Sequence, residues 1–239
     1  MDLERAREVG YAGYAEWKGW LKGEHSHLSD AHDSFRRELL GIEVSGRRVH
    51  ELGFGDGHFL DWAKSQRAET SGVELDAALV AAARERGHDA AIVAPGGSIG
   101  PLSPGSIDVI VALDVLEHLA KHEIATVLAE ASRALRVGGH IVARFPNGAS
   151  PFSGLYQHGD ATHATQLTAD ALGQLSRAHS FNVMSVRNAA RPLSGRLRKR
   201  LLRTVRYGVQ SSIGAALSVV YFGRLVPLDP NVTVVLTRA

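Results

Sequence analysis

The chain has 239 residues, 44% of them hydrophobic, and a formal net charge of +2. That is enough apolar material for a substantial core and too much for a disordered chain. It has no cysteine, which excludes disulfides, thiolate zinc sites and a cysteine nucleophile and suits a reducing compartment. The opening MDLERAREVG is charged and lacks an apolar h-region, so no signal peptide is expected and the expected location is cytoplasmic. Charge is unevenly spread. Between Asp170 and Asp229 there are ten basic residues and no acidic one, so the remainder carries −8 against the overall +2. A basic C-terminal region on an acidic body points to an anionic partner, either a lipid surface or a phosphorylated substrate.

Residues 1–40 read as a helical lead-in. Tyr11, Tyr14, Trp17 and Trp20 recur every three or four positions and can share one helix face. They either pack this segment on the main body or form part of a substrate lid. From Arg47 strands and helices alternate. RRVHELGF is a strand running into glycines, HFLDWAKSQ a helix, TSGVEL a strand, and DAALVAAARERG a helix stopped at Gly87. AAIVAP is a weak third strand, followed by the turn-rich PGGSIGPLSPGS. IDVIVALDV is apolar almost throughout, as befits a strand buried on both faces. KHEIATVLAEASRALR is an amphipathic helix ending at Gly138-Gly139, and HIVARFPN a fifth strand. TADALGQLSRAHS is then a helix, and FNVMSVRN and VTVVLTR are strands. This order implies an α/β fold with a mostly parallel sheet and right-handed crossovers. The forty or so residues between the last two strands read as an insertion between neighbours.

The glycines at 53, 55 and 57 sit where the first strand turns into a helix. They allow a sharp bend and close backbone approach to a ligand whose anionic group faces the helix start. The spacing is G-x-G-x-G, not the G-x-G-x-x-G of dinucleotide binders, and no P-loop is present. About twenty residues on, Glu74 ends the second strand, where a carboxylate can accept from both hydroxyls of a ribose.

Together ELGFGDGHFL, GVELD, IDVIVALDVLEHL and LRVGGHIVARFPN resemble the class I S-adenosylmethionine-dependent methyltransferases over roughly residues 40–190. The resemblance implies a Rossmann-like, mostly parallel seven-stranded sheet with the last strand antiparallel. It divides the chain into a helical segment over 1–40 and a methyltransferase domain over 41–239, with a basic helical insertion at 189–231. It places Gly53, Gly55 and Gly57 along the methionine part of S-adenosylmethionine, Glu51 toward its amino group through the loop, and Glu74 on the ribose. Leu75 would pack on adenine, and Leu113 and Asp114 would lie near the methyl group. Asp114 could also cap the LEHL turn. Relatives often carry an acidic residue after the third strand. VAPGG at 93–97 has none, so adenine contacts there fall to backbone.

Methyl transfer to a hydroxyl needs an aligned nucleophile and a place for its proton. His118 in DVLEHL and His163 in QHGDATHATQLT both follow strands at the carboxyl edge of the sheet, where open α/β sheets bind ligands. The loop FPNGASPFSGLYQHGDATHATQLTADAL resembles that of O-methyltransferases encoded with polysaccharide and O-antigen synthesis. The shared pattern falls on Pro146, Asn147, Asp160, Thr162, His163 and Thr168. That resemblance makes His163 the general base, with Asp160 orienting it or binding sugar hydroxyls, His118 second, and a glycan or small molecule the acceptor. The Asp–His pair is also a divalent-metal contact by type, but no full ligand set is legible. His163 read structurally would cap the next helix. His50, His140 and His179 look like strand or helix-end residues without a site role.

Over 193–206, Leu197, Leu201 and Val205 stand four apart among six cations, the pattern of a basic amphipathic helix. The next seventeen uncharged residues, 207–223, include Gln210, three serines and three glycines. They are too short and polar for a convincing span. Membrane contact through 193–226, a lid, and a homodimer interface all stay open. No nucleic-acid partner is expected, since neither an N/D-P-P-Y/F motif nor an RNA-binding module is present.

Overall fold

A computed structural model describes residues 11, 13–20, 34–39, 41–191, 193 and 197–239. Its seven strands are β1 (Arg48–Leu52), β2 (Glu69–Glu74), β3 (Asp89–Ile92), β4 (Ile107–Leu113), β5 (Leu135–Pro146), β6 (Phe181–Asn188) and β7 (Asn231–Arg238). They form one sheet in the order β3-β2-β1-β4-β5-β7-β6. Strands β1 to β5 pair in parallel, while β7 lies antiparallel between β5 and β6. This is the expected Rossmann-like architecture, and the two strands flanking the insertion are neighbours.

The alternation of side chains along each strand divides the core between two faces. On β4, Ile110 and Ala112 join one cluster and Val109 and Val111 the other. Helix α4 (Lys121–Ala134) covers the first face with Ile124, Val127, Leu128 and Ala131, beside Leu172 of α6 (Ala169–Arg177). Helix α2 (His58–Ser65) covers the second with Phe59, Trp62 and Ala63. Phe35 and Leu39, within or next to a helical turn at 34–38, close over that layer. Helix α3 (Ala77–Glu85) is started by Asp76, whose carboxylate accepts from the amides of Ala78 and Leu79. Gly87 ends it at φ +78°.

One boundary moves. The helix expected to run to Gly138-Gly139 stops at Ala134, and β5 begins at Leu135. Leu135 is fully buried and pairs with Ile107, so tertiary pairing overrides helical propensity. Of the aromatic lead-in, the described part holds the short helix α1 (Tyr14–Trp17) and the turn at 34–38; the rest lies outside the described residues. The basic insertion is one helix, α7 (Leu197–Phe222), about 39 Å long at 1.5 Å per residue. Its expected start at 194–196 lies outside the described residues.

His50 is a strand residue, as expected, 2% exposed on β1 with Nδ1 2.8 Å from the Ser71 hydroxyl. Burial lowers its pKa from 6.5 to about 4. Between those values the folded chain binds fewer protons than the unfolded one. The contribution of His50 to stability is therefore undiminished above pH 6.5 and is lost as pH falls toward 4. Urea denaturation should show stability dropping over that window, by on the order of 2–3 kcal/mol from this group. His50→Gln should flatten the dependence; an unchanged slope would refute it.

Candidate functional site

A cavity of about 260 Å³ opens at the carboxyl ends of β1, β2 and β4. Its floor includes Leu52 and Gly53 from β1, Val73, Glu74 and Leu75 from β2, and Asp114 and Val115 after β4. The turn Val93–Ser98 forms one wall, and Tyr11, Tyr14 and Trp20 form the roof. Of the four lead-in aromatics, only Trp17 turns away, 65% exposed.

Gly53 has φ +58°, and a Cβ there would meet Val115 at 2.9 Å. Bend and close approach both demand glycine at this position. Gly55, at φ +55°, lies under the Trp20 ring, and its amide donates to Glu74 Oε2 at 2.8 Å. Gly57 is the N-cap of α2 and packs against Arg86, away from the cavity. Glu74 Oε1 accepts from the Leu75 amide at 2.6 Å. Burial raises the Glu74 pKa, opposed by the amides of Gly55, Leu75 and Asp76. Each carboxylate oxygen thus has a backbone donor and lone-pair capacity to spare for a ligand. Glu51 is 4% exposed, and its Oε2 has no partner among the described residues. Burial, with Asp56 and Glu74 nearby, pushes its carboxyl well above the usual range. A ligand cation would relieve that cost.

Besides Gly57, two expected cofactor residues behave differently. Asp114 lines the cavity but does not cap the LEHL turn: the 3-10 turn Leu116–His118 has Val115 at its N-cap position and no side-chain cap. Asp114 has φ +59°, and its carboxylate is held by Arg144 of β5 through bonds of 2.9 and 2.5 Å. A fixed bidentate partner competes with capping. Leu113 is absent from the cavity lining and packs instead with the α2-side cluster. Strand alternation explains this, because Leu113 shares its face with Val109 and Val111.

Beyond Asp114 the three expected catalytic residues come together. The loop after β5 is strapped to the LEHL turn: the amides of Ala164 and Thr165 donate to the Glu117 carbonyl, and the Thr165 hydroxyl to that of Leu119. Thr162 donates its hydroxyl and amide to Asp160 Oδ1 at 2.5 and 3.0 Å. Tyr14 donates to Asp160 Oδ2 at 2.9 Å, and Lys18 Nζ lies 3.3 Å from it. Burial works against the Asp160 charge, but Thr162, Tyr14 and Lys18 hold its carboxyl well below the usual carboxylate range. The Thr162 proton is spent on Asp160, so its oxygen accepts from His118 Nδ1 at 2.9 Å. His163 Nδ1 donates to the Gln157 carbonyl at 3.0 Å. The two rings meet edge to face, 4.7 Å apart. His163 Nε2 stands 4.0 Å from both Glu117 Oε1 and Asp160 Oδ2. His118 lines the cavity, while His163 sits behind it. Burial, then His163, lowers the His118 pKa to about 4.

His163 does not cap the following helix. That part is taken by Thr168, which accepts from the Ala171 amide at 3.1 Å. Asn147 has a structural role too, donating to the carbonyls of Pro227 and Asp229. Two further residues of the site, Glu117 and Arg144, were not singled out from the sequence. Glu117 is 1% exposed with Oε2 unpartnered among the described residues. Its carboxyl is pushed well above the usual range by burial and Asp114. Arg144 also reaches Glu38 Oε1 at 3.5 Å. A lone arginine inside the apolar strand VARFP was the available signal, because a buried cation requires partners.

Residues 50–143 match the model of a methyltransferase domain. The chain is 30% identical over 170 residues to a probable S-adenosylmethionine-dependent methyltransferase of Mycolicibacterium smegmatis, covering 68% of this chain and 65% of that one. It spans between half and 65% of the length of the curated relatives it matches. Among solved structures, a SAM-dependent methyltransferase from Archaeoglobus fulgidus superposes with TM-score 0.64 at 17% identity, over 88% of this chain and 94% of that one. The cyclase SpnF superposes with TM-score 0.55 at 16% identity, over 87% and 79%, a reminder that this fold carries more than one chemistry. The matched segment covers 94 of the 239 residues, and the fold is the one shared by solved structures of the S-adenosylmethionine-dependent methyltransferase class. The cofactor of that class fits the residues present: an orphaned carboxyl for an ammonium group, a carboxylate for ribose, and a glycine bend a Cβ would obstruct.

Glu74→Ala should weaken S-adenosylhomocysteine binding by about ten- to a hundredfold, since it removes charged acceptors that each contribute about 1.5–3 kcal/mol. Calorimetry measures this; unchanged affinity would place the ribose elsewhere.

Proposed function

We propose that the protein is an S-adenosylmethionine-dependent O-methyltransferase acting on a sugar hydroxyl of a polysaccharide, glycolipid or glycosylated metabolite. The observation that carries this reading is the cluster of Glu117, His118, Asp160 and His163, of which His118 lines the cavity that Glu74 also lines. Bound S-adenosylmethionine would supply an electrophilic methyl group for the acceptor hydroxyl, with S-adenosylhomocysteine and the hydroxyl proton as the other products. The chain's part is to hold the acceptor and receive that proton's charge. Both imidazoles give their Nδ1 protons to fixed acceptors, which leaves Nε2 lone pairs available. Asp160 stays ionised beside them. Tyr11 and Tyr14, whose rings lie 6.1 and 6.0 Å from that of His118, offer flat faces against which a sugar ring or a quinone can pack. That same aromatic roof supports the second reading, a small-molecule O-methyltransferase acting on a quinone or natural product.

Helix α7 supports a lipid-linked acceptor. Leu197, Leu201, Leu202, Val205, Val209, Ile213, Val219 and Val220 are all more than half exposed. At 100° per residue they fall on one side of the helix. The opposite side meets the body through Tyr207, whose carbonyl accepts from Arg191, and through buried Ser218. On the same spacing Lys199 and Arg206 border the apolar side, Arg200 and Arg203 stand on the opposite side, and Arg198 lies within the stripe. No helix among the described residues is long and apolar enough to cross a membrane. The amphipathic pattern suits a helix lying in an anionic lipid surface at the inner membrane face; a homodimer interface is the competing use.

Incubation with labelled S-adenosylmethionine and a panel of glycans, glycolipids and hydroxylated quinones tests the acceptor. Label in a sugar is expected; label in a quinone alone would overturn the glycan reading. His163→Ala should lower turnover by about 10²- to 10⁴-fold while leaving cofactor affinity nearly intact. Wild-type turnover would remove His163 from the chemistry. Vesicles with anionic lipid should sediment the protein and neutral vesicles should not; a salt-independent dimer without vesicle binding would favour the interface.

A further inference from the structure

The geometry points to a divalent transition-metal site formed by Glu117, His118 and His163, placed to hold the acceptor hydroxyl. This inference rests on the O-methyltransferase reading for its purpose but not for its chemistry. Each of the three side chains offers one ligand atom, and those atoms lie within 4.8 Å of one another. Atoms bound to one ion at about 2.1 Å stand about 3–4 Å apart, so small side-chain rotations close the set.

Three independent features match a metal site. The first is the second shell. Ligating histidines almost always donate the other ring N–H to a carboxylate, a backbone carbonyl or water, which fixes the tautomer and aims the free nitrogen. His163 Nδ1 donates to the Gln157 carbonyl, which can only accept. His118 Nδ1 donates to Thr162, whose own proton goes to Asp160. Both rings therefore keep an unprotonated Nε2, and that of His163 stands 4.0 Å from Glu117 Oε1. The second is the carboxylate. Glu117 is 1% exposed, with one oxygen 4.0 Å from His163 Nε2 and the other lacking any partner among the described residues. A buried carboxylate oxygen without a donor is costly unless something absent from the protein alone satisfies it. The third is access. Two imidazoles and one carboxylate leave coordination positions open, and His118 lies on the cavity wall.

Two imidazoles with one carboxylate and no thiolate favour manganese, iron, cobalt or zinc over magnesium or calcium. An ion there would bind an acceptor hydroxyl and make its proton easier to lose to water. His163 and His118 then act as ligands, and the base role assigned to His163 from sequence is replaced. Asp160, 4.0 Å from His163 Nε2 and held by Tyr14 and Lys18, is the nearest further oxygen donor.

The test uses the full chain, stripped with a chelator and titrated with Co²⁺ alone. Visible d–d bands from nitrogen ligation and a saturable heat by calorimetry are expected. Glu117→Gln and His163→Ala should each weaken Co²⁺ binding at least tenfold. S-adenosylhomocysteine affinity, measured on the same samples, should stay within about twofold and so reports that the variants are folded. No saturable Co²⁺ binding by wild type, or equal binding by both variants with their cofactor affinity retained, overturns the metal site and leaves the methyltransferase reading standing. Co²⁺ binding without S-adenosylhomocysteine binding would do the reverse.

Discussion

The bond from the Gly55 amide to the Glu74 carboxylate ties the first strand's bend to the second strand's tip. It runs across a parallel pair in which Leu52 stands opposite Val73. The rest of the site follows from that tie. Glu74 is 8% exposed, so its charge is affordable only because amides from both loops point at it. The amide from the first loop reaches it from a bend in which Gly53 and Gly55 take left-handed backbone that a side chain would disfavour. A bend built this way leaves an empty crevice between β1 and β2. The turn after β3 walls one side of it and the lead-in aromatics cover it.

The opposite end of the crevice is organised by a different device. Arg144, rising from a buried strand, clamps Asp114 and approaches Glu38, which itself accepts from the Ala190 amide and the Thr233 hydroxyl. This cation fixes the end of β4, and with it the LEHL turn that carries Glu117 and His118. The loop after β5 is then stitched to the same turn through Thr162, Ala164 and Thr165. The result is a polar cluster of Glu117, His118, Asp160 and His163 held by both loops, with His118 on the cavity wall.

Much of this was legible in the chain. The seven strands, their order of alternation and the glycine bend follow from apolar runs broken by turn residues. ELGFGDG and GVEL, twenty residues apart, pointed to one crevice, and Gly53 and Glu74 do line the same cavity. What was not legible depends on packing across elements. The end of α4 moved because Leu135 pairs with Ile107, a contact invisible to local periodicity. Asp114 looked like a cap because the arginine that claims it lies thirty residues away. Leu113 was assigned to the ligand by its place in a motif, whereas strand alternation turns it to the other face. Glu117 was passed over because a glutamate on a turn is ordinarily solvated, and only the tertiary structure shows it buried against two histidines. Asn147 and Thr168 belonged to a recognisable loop pattern, yet their partners are backbone groups rather than a substrate.

The central claim is that a nucleoside lies across the tips of β1 and β2 with its ribose on Glu74. A crystal structure of the chain with S-adenosylhomocysteine tests it most directly. The account predicts both ribose hydroxyls within hydrogen-bonding distance of the Glu74 carboxylate, adenine between Leu75 and the Val93–Ser98 turn, and the amino-acid end at the Gly53 bend near Glu51. A ligand seated away from Glu74, or a crevice still closed by Trp20 at saturating ligand, would contradict it.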